Sequence, residues 1–177
     1  MAGPRSIKEK VHLPLYDSIT IEPKKQLSGI QIENGFKFFI QTKGKSKLET
    51  NVGLLSELGR FEGWGMRVVI ASNGAEDLIG KLIYNTVTTL YVGEKIMIQM
   101  PTWFFPAGAG PYSETGRFTT HGEPSPMATF RFAEAIQVDR GQNFRVEMAA
   151  PHVESFKELR RTLGPTRVWV ALDGYFT

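Results

Sequence analysis

Asn143-Phe144-Arg145-Val146-Glu147-Met148 alternates polar with apolar residues at every step. Residues two apart lie on the same side of an extended chain, so Phe144, Val146 and Met148 share one face and Asn143, Arg145 and Glu147 the other. A period of two predicts a strand with one face for a core and one for solvent or a neighbour. The stretch before it, Ala135-Ile-Gln-Val138, leads in through Asp139-Arg-Gly141, which predicts two strands around a tight turn. The alternation recurs outward in both directions. Phe36, Phe38 and Ile40 share a face, as do Trp64, Met66, Val68 and Ile70; Ile96, Ile98 and Met100; and Phe130 with Phe132. Near the end, Val168, Val170 and Leu172 alternate with Arg167, Trp169 and Asp173. With Val87–Val92 this makes about eight strands, and their spacing predicts an all-β domain, a single jelly roll or β-sandwich. The expected core is Phe38, Trp64, Val68, Ile98, Phe130, Phe144, Val146 and Val170.

Asn34-Gly35 between two apolar runs is a hairpin signal. A three-residue loop, Glu33-Asn34-Gly35, would pair Ile32 with Phe36 and Ile30 with Phe38, with Gly35 at the left-handed position. Two connections have helical character. Ala75–Tyr84 carries acids in its first turn, and Val153, Phe156, Leu159 and Leu163 stand at helical spacing before Gly164-Pro165. The longest irregular stretch runs from Pro101 to Pro126; connections of this length usually serve a purpose. The expected organisation is a basic arm or edge segment at 1–28 and a jelly-roll domain at 29–177.

A chain of 177 residues, 41% hydrophobic and 22% charged, suits one globular domain. No apolar run reaches the ~18 residues of a membrane span. The polar start, Met1 to Lys10, lacks the apolar stretch of an export signal, so synthesis in the cytoplasm is expected. The absence of cysteine removes disulfides, thiol catalysis and cysteine-held metals. Net charge is +3, but residues 1–50 hold nine Lys/Arg against five Asp/Glu. The excess concentrates at Lys24 and Lys25 and at Lys43, Lys45 and Lys47. These five are candidates to face lipid headgroups or nucleic-acid phosphates, the alternative being a solvated loop.

Catalytic patterns are missing. His12, His121 and His152 lie far apart, and His121-Gly122-Glu123 has no second histidine nearby, so no metal site is expected. Gly74 to Lys81 fails as a phosphate loop, because five residues separate its glycines and Leu82 stands where a hydroxyl must hold magnesium. There is no Gly-x-Ser-x-Gly elbow. The expectation is a protein without catalytic residues or cofactor.

Trp103-Phe104-Phe105 cannot all point inward, because they are consecutive. They are candidates for a subunit or ligand contact, or for rings folded back onto the sandwich. Trp169 is ambiguous in the same way, opposite the Val168, Val170 and Leu172 face. As a stacking platform, Trp103, Phe104 and Phe105 would instead suit a carbohydrate-binding or lectin-like module.

Three passages carry a resemblance: Tyr91-Val-Gly-Glu-Lys-Ile-Met-Ile-Gln-Met-Pro-Thr-Trp-Phe-Phe-Pro-Ala-Gly-Ala-Gly110, a strand running into a Pro/Gly-rich loop; Ala135 to Met148; and the terminal Val168-Trp-Val-Ala-Leu-Asp-Gly174. In their order from Thr50 to Thr177 they resemble the single jelly-roll capsid proteins of tailless icosahedral phages with an internal membrane, of the Thermus phage type. Residues 1–49 lie outside the likeness. The resemblance implies a virion coat subunit that self-associates as a dimer or larger assembly, packs beside a second capsid protein and faces a lipid layer. It implies no catalytic residues, and nucleic-acid contact of a non-specific kind at most.

Overall fold

The computed structural model describes residues 10–21, 31–32, 35–40, 43–71, 76–105, 129–152 and 166–177. Among them are nine strands: β1 (Leu15–Ile21), β2 (Gln31–Ile32), β3 (Gly35–Phe38), β4 (Phe61–Ala71), β5 (Val87–Val92), β6 (Lys95–Pro101), β7 (Phe130–Val138), β8 (Phe144–Ala149) and β9 (Thr166–Phe176). Two helices, α1 (Leu54–Leu58) and α2 (Glu76–Asn85), and one 3₁₀ turn (Thr102–Phe104) lie between strands. The expected helix at 75–84 is α2. The one expected at 153–163 falls outside the described residues, and α1 was not expected.

The strands form two antiparallel sheets, ordered β1-β9-β4-β7 and β2-β3-β8-β5-β6. Setting aside the two-residue β2, the eight others pair first with last: β1 with β9, β3 with β8, β4 with β7 and β5 with β6. That is one long hairpin of four strands against four. Two further pairings, β4 with β9 and β5 with β8, roll it into a sandwich. An all-β chain wound this way is a jelly roll. The facing sides bury Phe36, Phe38, Phe61, Met66, Leu90, Val146, Met148, Val168, Val170 and Phe176.

Five of the eight expected core residues, Phe38, Val68, Phe144, Val146 and Val170, are buried; Trp64, Ile98 and Phe130 are half-buried. Trp64 leaves the core because of a bulge. Gly63 pairs with Gly174 and Gly65 with Asp173, so Trp64 is an extra residue and the alternation restarts behind it. Its ring lies 5.5 Å from the Arg131 guanidinium instead. Ile98 is half-covered because β6 is the last strand of its sheet. Ile40 also leaves its expected face, because β3 ends at Phe38 and the chain turns at Phe39, leaving Ile40 exposed.

The hairpin register differs from the expected one. Ile32 pairs with Gly35 and Gln31 with Phe36, which makes Gly35 a strand residue rather than the last residue of a three-residue loop. The reason is long-range. β3 takes its register from β8, through Phe36 opposite Met148 and Phe38 opposite Val146, and the buried phenyl rings outweigh the local turn preference.

Residues Leu15–Ile21, inside the 1–28 segment, form the edge strand β1 and bury Leu15, Ile19 and Ile21. The segment 43–51 runs along that edge. Asn51 accepts the Tyr16 N–H (2.7 Å) and donates to the Pro14 carbonyl (2.6 Å), Thr50 bridges to Asp17, and the Tyr16 hydroxyl donates to the Lys47 carbonyl. Asp17, fully buried, accepts the Phe39 N–H (2.7 Å) and the Lys45 ammonium (2.8 Å), and Lys45 also donates to the Ser18 carbonyl (2.6 Å).

Candidate interaction surface

The aromatic cluster is positioned from both sides. Thr102 is buried and its hydroxyl lies 2.7 Å from those of both Thr86 and Thr88, while its N–H donates to the Thr86 carbonyl (3.0 Å). Phe105, 2% exposed, accepts the Val68 N–H at its carbonyl (3.2 Å) and meets the Phe130 ring edge-on at 5.1 Å. With its two ends held inside, the turn must turn its middle residues outward. Trp103 is 50% exposed and Phe104 38%, and the two rings stack on each other at 4.0 Å. The sequence left the three rings as interface or core. The structure divides them: Phe105 is core, Trp103 and Phe104 are surface.

Ile96 and Met97 of β6 are exposed, as is Tyr84, two residues before Thr86. The exposed parts of Trp103 and Phe104 amount to roughly 200 Å², worth about 5 kcal/mol per copy if covered, before the costs of association. The backbone edge of β6 is blunted. Met97 is an extra residue between Ile98, opposite Leu90, and Ile96, opposite Tyr91, and the strand begins with Lys95 and ends with Pro101. A bulge, a lysine and a proline all oppose strand addition. A contact made at this edge would therefore run through side chains.

Trp169 is half-buried on the outer side of β9, and its indole N–H donates to the Leu48 carbonyl (3.1 Å), so the chain's own 43–51 segment occupies part of that face. The basic candidates separate in the same way. Lys43 and Lys47 are exposed, whereas the Lys45 side chain is 14% exposed and held by Asp17. Lys45 is therefore corrected from a surface lysine to an internal ion-pair partner, because a buried carboxylate recruits the nearest cation. Lys24 and Lys25 lie outside the described residues. Glu49 accepts the Ser46 N–H and hydroxyl, both at 3.0 Å, and Arg167 stands 3.4 Å away; the hydrogen bonds first, then the cations, hold its carboxyl below the ordinary 4.5.

One cleft stands apart from the aromatic pair. About 230 Å³ in volume, it opens between Phe39, the α1 region and the residues leading into β8. No local motif announces it, because its walls come from segments about a hundred residues apart. Among the described residues no group of three His, Asp or Glu could hold a metal, and no helix is long and apolar enough to cross a membrane. His121 and Glu123 lie outside the described residues. Compared with family models, curated proteins and solved structures, the chain shows no match.

Proposed function

We propose that this chain is a structural coat subunit of a virus, a jelly roll that self-associates and packs beside a second coat protein over an internal membrane or genome. The observation that carries the reading is the Trp103–Phe104 pair, which the buried Thr102 and Phe105 hold outward on a rigid base. Rings fixed in this way lose little entropy when covered, the property that makes aromatic anchors the centres of interfaces. Lys43, Lys47 and the exposed Leu48 supply a basic and apolar tip of the kind that meets an anionic lipid surface. The competing reading, a carbohydrate-binding module on a three-ring platform at Trp103, Phe104 and Phe105, loses one ring to the core. It loses further surface because the other two stack on each other.

Size-exclusion with light scattering over a concentration and salt series tests the reading. Dimers or larger species that persist in high salt are expected, as apolar contact is insensitive to screening. Trp103→Ala with Phe104→Ala should return the protein to monomer with unchanged circular dichroism. A parent that stays monomeric at every concentration refutes the proposal.

A further inference from the structure

The chain leaves β3 through Phe39, whose φ of 67° lies in the left-handed region where a bulky aromatic side chain is an outlier. The Asp17–Lys45 pair sustains this conformation, since Asp17 accepts the Phe39 N–H. The Phe39 ring is thereby set against Phe144, with centroids 4.9 Å apart and planes inclined at 41°. Strain held in place by an over-determined surrounding is a recurrent mark of ligand-binding positions.

Val52, with the small exposed parts of Phe39, Leu55 and Phe144 (7%, 7% and 8%), forms the apolar floor of the cleft. Polar lining comes from Ser56, Gln142 and Asn143. The Gln142 amide oxygen accepts the Asp139 N–H (3.0 Å), and among the described residues its NH₂ group has no partner. Among the described residues the Asn143 side-chain amide has no protein partner. Ser56 donates to the Gly53 carbonyl (2.7 Å) and keeps its acceptor capacity. The turn feeding Gln142 and Asn143 is itself fixed: the Gln142 N–H donates to the Asp139 carbonyl (3.0 Å), and Gly141, with φ 77°, takes the position that a side chain would strain.

We propose that this cleft binds one neutral pyranose ring of a glycan. Its volume is below the ~300–1,000 Å³ typical of drug-sized pockets, which limits the ligand to about one ring. Among the described residues no charged side chain lines it, so an ionic ligand finds no counter-charge there. A pyranose presents an apolar C–H face beside ring hydroxyls, matching an apolar floor next to the exposed Ser56, Gln142 and Asn143 at the rim. The polar lining offers both donors and acceptors, as hydroxyl recognition requires. This inference does not depend on the coat reading.

Amide chemical shifts of isotope-labelled protein, followed while methyl glucoside, methyl galactoside, methyl mannoside or N-acetylglucosamine is added, test it. At least one sugar should produce saturable shifts confined to Phe39, residues 52–56 and residues 141–144, with a dissociation constant on the order of millimolar. Asn143→Ala should weaken that binding about tenfold through a lost hydrogen bond. Ser56→Trp, at an exposed position, should fill the cleft and abolish binding while leaving the remaining spectrum unchanged. The proposal is overturned if no sugar saturates, if the shifts lie elsewhere, if Ser56→Trp binds like the parent, or if cyclohexanol binds as well as the sugars. Light scattering is read separately, so loss of sugar binding and loss of self-association remain distinguishable.

Discussion

Lys45→Met removes one ammonium and keeps the stem that packs beneath it. In the parent the Asp17 side chain is 1% exposed and the Lys45 side chain 14%, at 2.8 Å. Removing one partner of a fully buried pair costs 3–5 kcal/mol, because the other charge stays inside uncompensated. Here the small opening at Lys45 admits some water, and the Phe39 N–H still reaches the carboxylate, so about 2–4 kcal/mol is expected. A domain of this size has roughly 5–15 kcal/mol in total, and urea slopes of about 1–3 kcal/mol per molar put the fall in midpoint near 1 M or more. Equilibrium urea unfolding measures it. Lys47→Met, on an exposed side chain of the same segment, should stay within ~0.5 kcal/mol. Adding Asp17→Asn to Lys45→Met should recover part of the loss, since an amide oxygen still accepts from Phe39 while the stranded charge is gone. A Lys45→Met midpoint indistinguishable from that of Lys47→Met refutes the clamp.

Other perturbations follow from the same geometry. Gly174→Ala should cost about 3 kcal/mol or more in thermal or urea unfolding, because its Cβ would strike the Glu62 carbonyl, with Phe61 Cζ at 2.6 Å and Gly63 Cα at 2.9 Å; Gly53→Ala, with nothing within 4 Å, is the neutral control. Phe144→Ala should cost about 3–5 kcal/mol in the same assay through lost burial and an unfilled cavity. Glu49 has a depressed carboxyl, so its stabilising effect is complete above the ordinary 4.5 and is lost as pH falls through the lower folded value; Glu49→Gln should flatten the acid limb of a stability–pH profile below about 4.5. Lys43→Gln with Lys47→Gln should reduce binding to anionic vesicles on the order of tenfold to thirtyfold, at about 1 kcal/mol per lysine, and weaken its salt dependence; flotation that is unchanged at low salt leaves the pair as solvating charges.

The β-sandwich was legible because the central strands β8 and β9 alternate apolar with polar residues. β8 and β9 bury every second residue, so Val146, Met148, Val168 and Val170 could be assigned from period two alone. The errors fall where something non-local intervenes. Trp64 was misplaced by a single-residue bulge that only the pairing with β9 reveals, and the β2–β3 register was set by β8 rather than by Asn34-Gly35. Lys45 resembled Lys43 and Lys47 in sequence. It differs because Asp17, 28 residues away, lies buried beside it. Of the aromatic run, the sequence showed that the rings must divide between surface and interior, but Phe105 became the inward ring through contacts to Val68 and Phe130 that no local pattern encodes. Nothing in the sequence pointed to the cleft.

The treatment of the sheet edges bears on what kind of assembly the proposed coat subunit would make. β1 has segment 43–51 laid along it, β2 is two residues long, and β6 carries a bulge, a lysine and a proline. On β7 the pairing with β4 slips, Gly63 facing Ile136 and Gly65 facing Arg131, so residues 132–135 lie opposite Trp64 alone. Among the described residues each edge is therefore capped, short or irregular, and none offers a regular ladder for another strand to extend. Strand addition has no natural stopping point, since each added edge exposes a new one. Side-chain contact stops when the matching patch is covered, and symmetry then decides whether the assembly closes. Under the proposed coat reading, blunted edges and an outward-held Trp103–Phe104 pair would favour discrete contacts over open-ended sheets, the behaviour a closed coat requires.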